Sequence, residues 1–145
     1  MVDKKGINIL LVEDDENDIL ITKRAFTKHN LSNRLYVVRD GEEAIDYIYH
    51  KGEYGDAEAA PRPGLILLDI NMPKMNGIEV LRKLKGDPEY KTIPIVMLTT
   101  SKRDQDKIES YNLGVNSYII KPVDFNKFVD AIATINLYWE LNELP

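Results

Sequence analysis

Five short apolar runs alternate along the chain with longer amphipathic segments, and this alternation predicts the fold. The runs that predict strands cover residues 7–12, 34–38, 65–69, 93–99 and 117–120. Two of them, around residues 9–12 and 65–68, are apolar at every position, which is typical of strands covered by helices on both faces. The remaining segments predict helices near residues 16–30, 41–51, 76–86, 103–113 and 124–141.

The strict order of strand and helix predicts how these elements assemble. Such alternation implies a parallel sheet with right-handed crossovers. With five strands, we expect one doubly wound, flavodoxin-like (βα)5 domain of the α/β class, with strand order 2-1-3-4-5. In a sheet of this kind the carboxyl ends of the strands lie along one edge, and ligands bind there, at the switch between the first and third strands.

Composition narrows the possible classes of function. A chain of 145 residues, 43% of them hydrophobic, suits a single domain with one core, which we expect to span residues 1–145 without an output domain. The net charge of −5 argues against nucleic-acid binding, and the lack of cysteine excludes thiolate chemistry. No apolar run reaches the length of about 18 residues that a membrane span needs, and no signal peptide begins the chain, so we expect a cytoplasmic protein.

Two segments are not explained by the fold pattern. Residues 51–64 hold three glycines and two prolines, which predict an extended loop, either solvated or used to recognise a partner. Near the end of the long last helix, Leu137, Tyr138 and Trp139 are consecutive. Successive helical residues turn by about 100°, so the three cannot all face one core. We expect this segment either to form a homodimer or partner contact, or to fold back on its own domain.

Acids, a threonine and a lysine stand at the ends of four predicted strands. Glu13 and Asp14 follow the first strand, Asp69 ends the third, Thr99 ends the fourth and Lys121 follows the fifth. Mg²⁺ prefers carboxylate oxygens, and it relieves the repulsion among acids that are held together. A hydroxyl and an ammonium suit phosphoryl oxygens, and an aspartate can attack phosphorus. The set therefore predicts a site for a divalent cation and a phosphoryl group.

The motifs around these residues resemble those of the response regulator receiver domain family. The motif LLVEDD ends at Asp15, and DINMPKMNG begins at Asp69. The separations are also similar to the family's spacing: 30 residues from Asp69 to Thr99 (99 − 69) and 22 from Thr99 to Lys121 (121 − 99). The resemblance covers about residues 6–140 of the chain.

The resemblance implies a phospho-acceptor and a set of metal ligands. Asp69 is the implied acceptor, and a sensor histidine kinase or a phosphotransfer protein is the implied donor. Asp14 and the backbone carbonyl of Asn71 are implied to join Asp69 as Mg²⁺ ligands, with Glu13 acting mostly through bound water. The surface of the first helix around Asp18 is implied to be the side on which the kinase docks.

The resemblance also implies how phosphorylation changes the rest of the domain. Thr99 and Lys121 are expected to hold the phosphoryl oxygens, and Tyr118 matches the aromatic switch position, which turns inward as Thr99 moves. The Lys121-Pro122 peptide bond is expected to be cis. The long loop and the extended last helix resemble receivers that partner phytochrome-type histidine kinases. The implied function is a response regulator of a two-component phosphorelay that signals by protein–protein contact.

Three other functions compete with this interpretation. A phosphatase that turns over through an aspartyl phosphate usually needs a second acid two residues beyond the nucleophile, where Asn71 stands. A flavodoxin-like cofactor binder needs a Gly- or Ser/Thr-rich phosphate loop after the first strand, and none is present. A phosphorylation-independent interaction module is disfavoured by the complete set of acids, threonine and lysine. We expect the protein to catalyse at most its own phosphorylation and dephosphorylation.

Overall fold

The strands form one parallel sheet with the predicted order. In a computed structural model of the protein, residues 7–29, 33–115 and 117–134 are described. The five strands lie in the order β2-β1-β3-β4-β5, which confirms the expected doubly wound topology. Their bounds are β1 Ile9–Val12, β2 Leu35–Val38, β3 Leu65–Asp69, β4 Ile95–Thr99 and β5 Ser117–Ile120.

Helices connect the strands, and side-chain caps mark where most of them begin. The bounds are α1 Glu16–Lys28, α2 Gly41–Tyr49, α3 Gly77–Lys85, α4 Lys102–Ser110 and α5 Phe125–Thr134, with a short 3-10 turn at Gly52–Tyr54. Polar side chains accept hydrogen bonds from backbone N–H groups at the start of all five helices; they belong to Asp15, Asp40, Asn76, Ser101 and Asp124. Leu137, Tyr138 and Trp139 lie outside the described residues.

Helices cover both faces of the sheet and enclose two apolar clusters. Alternate residues of β1 divide between them: Leu10 faces the cluster that includes residues of α2, α3 and α4, and Leu11 faces the cluster of α1 and α5. The central strands β1, β3 and β4 are buried throughout, as their unbroken apolar runs predict. The strand β4 begins at Ile95 rather than at residue 93, and Pro94, just before it, has no N–H group to donate to the ladder.

The extended loop at residues 51–64 is attached to α2 along part of its length. The Tyr47 hydroxyl donates to the Pro61 carbonyl at 3.0 Å, and His50 Nε2 lies 2.8 Å from the carbonyl oxygen of Ala60, which is fully buried. Residues 51–53 and 55–59 remain exposed. The loop is therefore solvated at its tip and packed at its return. No helix among residues 7–29, 33–115 and 117–134 is long and apolar enough to span a membrane.

Candidate phosphoryl and metal site

The parallel register brings the strand-end residues to one edge of the sheet. Cα partners along the ladders are Val12 with Leu68, Asp69 with Leu98, and Thr99 with Ile120. Neighbouring strands thus end within about one residue of each other. The side chains that follow come together as the sequence predicts, because parallel strands deliver their carboxyl ends to the same edge.

Three of the predicted acids form a compact carboxylate cluster. Ligand oxygens of Glu13, Asp14 and Asp69 all lie within 4.8 Å of one another. Glu13 and Asp69 are 1% and 2% exposed, whereas Asp14 is open to solvent. Two buried oxygens, Glu13 Oε1 and Asp69 Oδ1, accept no hydrogen bond of acceptable geometry. The Lys121 ammonium forms ion pairs with both oxygens, and a donor set made only of oxygens also suits a divalent cation.

The Lys121 ammonium lies among three carboxylates. Its Nζ is 2.7 Å from Glu13 Oε1, 3.1 Å from Asp18 Oδ2 and 3.2 Å from Asp69 Oδ1, and its side chain is 12% exposed. Burial lowers the pKa of Lys121, but the three acids outweigh burial and the net shift of its pKa is upward. The backbone N–H of Lys121 donates to the Thr99 carbonyl at 2.8 Å, which ties the ends of β4 and β5 together. The expected cis peptide bond before Pro122 is present.

The buried acids of the site have raised pKa values. Burial raises the pKa of Glu13 to about 7, and the nearby Asp69 charge adds to this while Lys121 opposes it. Burial likewise raises the pKa of Asp69, against the lowering effect of Lys121, of a hydrogen bond with Glu13 and of the Asn71 backbone. A proton and a divalent cation therefore compete for the same pair of carboxylates.

Thr99 ends β4, and Tyr118 lies on the adjacent strand β5. The Thr99 side chain is fully buried, and its hydroxyl donates a long hydrogen bond of 3.3 Å to the Ser101 carbonyl. Tyr118 is half-buried against the α2–α4 cluster and donates to the Val115 carbonyl, also at 3.3 Å. Burial raises the pKa of Tyr118, so its hydroxyl stays protonated and able to donate at neutral pH.

One contact in the site is absent from the sequence-based prediction. The predicted set leaves Asp18 on the helix surface, but its carboxylate accepts a hydrogen bond from the Lys121 ammonium, 103 residues away in the sequence. The sequence signal for this contact is an acid in the first turn of the helix that follows the first strand. The Asn71 backbone donates a hydrogen bond that lowers the pKa of Asp69, and its carbonyl stays a predicted metal ligand.

The fold and the site together define a class of protein: a doubly wound domain with an acid-lined edge suited to a cation and a phosphoryl group. The family model for the response regulator receiver domain matches residues 9–133, so the chain belongs to this family. It is 40% identical over 131 residues to the response regulator Rcp1 of Synechocystis sp. (strain ATCC 27184 / PCC 6803 / Kazusa), covering 90% of this chain and 87% of Rcp1.

Solved structures give the same result. The chain is 45% identical to the bacteriophytochrome response regulator RtBRR, with a TM-score of 0.86 over 92% of this chain and 80% of that one. It is 39% identical to the Mn²⁺-bound form of Rcp1, with a TM-score of 0.72 over 92% of this chain and 94% of the other. The protein is thus a response regulator of phosphorelay signalling, with a histidine kinase as its general partner and a divalent metal bound by acidic residues.

Proposed function

We propose that Asp69 is the phospho-acceptor of this response regulator. The observation that carries the proposal is the position of its carboxylate, which belongs to the acid cluster and lies 3.2 Å from the Lys121 ammonium. An Asp69 oxygen forms the new P–O bond as the P–N bond to the donor histidine breaks and its electron pair returns to the imidazole. Lys121 supplies positive charge where charge develops on the phosphoryl oxygens.

The acid cluster would hold the metal, and we propose that the metal is Mg²⁺. Glu13, Asp14 and Asp69, together with the Asn71 backbone carbonyl, offer only oxygen donors, which favour this hard cation. When bound, Mg²⁺ supplies charge neutralisation for the carboxylates and for the phosphoryl group. The chain itself contributes the rigid strand ends that keep Glu13 and Asp69 oriented toward each other, away from bulk water.

Phosphorylation would act through Thr99 and Tyr118. A phosphoryl group adds about −1.5 to −2 charge, by analogy with other phosphorylated residues. The Thr99 hydroxyl can turn to such a group at little cost, because its present bond to Ser101 is long at 3.3 Å. Movement of Thr99 would leave room for the neighbouring Tyr118 to turn inward, so that the face formed by α4, β5 and α5 changes its affinity for partners.

The proposed partners and location of the switch draw support from the same comparisons. The similarity of this chain to bacteriophytochrome response regulators supports a phytochrome-type kinase as the donor of the phosphoryl group. The family model matches residues 9–133, which supports a receiver domain over most of this sequence, and we propose that this domain signals by protein–protein contact. A cytoplasmic location suits a kinase that draws its phosphoryl group from ATP. A homodimer through Leu137, Tyr138 and Trp139 remains a proposal from sequence alone.

Phosphotransfer measured by intact-protein mass tests the acceptor. Incubation with a phosphorylated histidine kinase, or with acetyl phosphate and Mg²⁺, should add one phosphoryl group to the wild type and none to Asp69→Asn. The matched control is Asp15→Asn, which removes an exposed acid but keeps the cap of α1, since asparagine caps a helix as well as aspartate. Labelling of Asp69→Asn at the wild-type level would contradict the assignment. Multiple turnover of small phosphomonoesters would favour a phosphatase instead.

A further inference from the structure

The Lys121 ammonium is shared between the phosphorylation site and helix α1. Of its three carboxylate neighbours, Asp18 alone accepts a hydrogen bond of good geometry, at 3.1 Å. Glu13 and Asp69 are close in distance, at 2.7 and 3.2 Å, but their facing oxygens accept no such bond. The lysine is therefore directed by an acid on α1 as well as by the strand ends.

The start of α1 leaves the Asp18 carboxylate available for this contact. An acid at the third helical position often bonds back to the N–H of the capping residue. Here that N–H, on Asp15, donates to Glu13 Oε2 at 3.2 Å, while Asp15 in turn accepts from the Asp18 N–H at 3.0 Å. The helix is held rigidly on the sheet, since Ile19 and Thr22 are fully buried. A fixed carboxylate thus faces a lysine whose four-carbon stem is flexible.

A bound cation would change which partners the lysine keeps. The cluster that can hold a metal consists of Glu13, Asp14 and Asp69 and does not include Asp18. Oxygens that bind a cation have less negative charge to offer to an ammonium. Of the three acids around Lys121, Asp18 is the one that metal binding leaves free to hold it. Because Asp18 shares the ammonium, Lys121 depends less on the Glu13 and Asp69 oxygens that the cation needs.

We propose that Asp18 is a positioning residue that holds the Lys121 ammonium beside Asp69, so that Mg²⁺ and the phosphoryl group can both be accommodated. This inference rests on the proposed role of Asp69 as acceptor. Without Asp18, Lys121 keeps only Glu13 and Asp69 as acidic partners. The lysine then competes more strongly with Mg²⁺ for their oxygens, which weakens Mg²⁺ binding, and it is less well placed for the phosphoryl oxygens, which slows phosphorylation.

The test compares two variants of equal charge, Asp18→Ala and Asp18→Asn. Asparagine keeps an oxygen that can accept from Lys121, whereas alanine does not, so any difference reports the contact and not the lost charge. With acetyl phosphate as donor, kinase docking on α1 plays no part. We expect Asp18→Ala to be phosphorylated about fivefold more slowly than Asp18→Asn, and to bind Mg²⁺ about fivefold more weakly by calorimetry. This factor corresponds to the loss of one hydrogen bond of ordinary net strength.

Two controls separate this effect from a general weakening of the helix. The same pair of substitutions at Glu16, as Glu16→Ala and Glu16→Gln, alters an acid on the same turn whose partner is exposed Arg39, at 2.7 Å. The two Glu16 variants should behave alike. In a Lys121→Ala background, the Asp18→Ala and Asp18→Asn variants should also become equal, both in phosphorylation rate and in Mg²⁺ affinity.

The outcomes distinguish the inference from the function on which it rests. Equal rates and equal Mg²⁺ affinities for the two Asp18 variants would overturn the inference, and so would a difference that persists without Lys121. Mg²⁺ binding requires no phosphoryl donor, so it can be read even where Lys121→Ala is phosphorylated slowly. If the wild type acquires no phosphoryl group, or if Asp69→Asn is labelled equally, the proposed acceptor itself fails.

Discussion

Substitution of Gly77 by alanine should disturb Asp69 without changing any polar side chain of the site. Gly77 is the buried first residue of α3, and its N–H donates to the Ile70 carbonyl at 3.0 Å. A Cβ atom there would lie 2.2 Å from the Asp69 carbonyl oxygen and 2.9 Å from Ile70 Cα. Both neighbours are backbone atoms, so no side-chain rotation can relieve the overlap.

The size of the effect follows from that overlap. Ordinary contact begins at 3.4 Å, so Asp69 and the start of α3 must separate by about 1.2 Å (3.4 − 2.2). Overpacking of this kind costs about 1–3 kcal/mol, while replacing glycine in a helix returns up to about 1 kcal/mol. We expect a net loss of about 1–2 kcal/mol in the free energy of unfolding and weaker Mg²⁺ binding, because Asp69 moves.

Urea unfolding and Mg²⁺ titration measure both effects. With an m-value of about 2 kcal/mol per molar urea, the midpoint of unfolding should fall by about 0.5–1 M. The matched control is Gly55→Ala in the extended loop, where the nearest atom to an added Cβ is 3.5 Å away and the backbone is right-handed helical. Equal midpoints and equal Mg²⁺ affinities for Gly77→Ala and Gly55→Ala would refute the steric argument.

The raised pKa values of the buried acids lead to two further predictions. With a chelator present, stability should fall as pH rises from about 4.5 through about 7, because the Glu13 pKa is raised on folding and its stabilising contribution is lost once Glu13 ionises. Mg²⁺ affinity should rise over the same pH range. Urea midpoints that stay flat between pH 5 and 8 would contradict this prediction. Asp69→Asn should be more stable than the wild type in chelator, since it removes a buried charge, and should gain less stability from Mg²⁺; thermal midpoints with and without Mg²⁺ measure both.

The strand ends could be predicted from sequence because topology alone brings them together. Unbroken apolar runs identify the central strands, and a parallel sheet places the residues after them on one edge whatever the details of packing. Glu13, Asp14, Asp69 and Lys121 converge for that reason. The prediction of a cis peptide bond came from resemblance to the family rather than from this topology.

The contacts that sequence did not predict depend on how helices pack. Asp18 meets Lys121 across 103 residues, and that pairing depends on the angle at which α1 crosses the sheet. The return of the extended loop packs because Tyr47 on α2 reaches the Pro61 carbonyl. Neither periodicity nor local propensity encodes such tertiary distances, so the loop composition predicted only a turn-rich segment.

Mapping of the phosphorylated residue shows whether Asp69 is the phospho-acceptor. After brief incubation with acetyl phosphate and Mg²⁺, borohydride reduces an aspartyl phosphate to homoserine, which peptide mass spectrometry can locate. We expect homoserine at position 69 and nowhere else, and none when Mg²⁺ is chelated. Homoserine at position 14 or 15, or a phosphorylated protein in which residue 69 is recovered only as aspartate, would contradict this assignment.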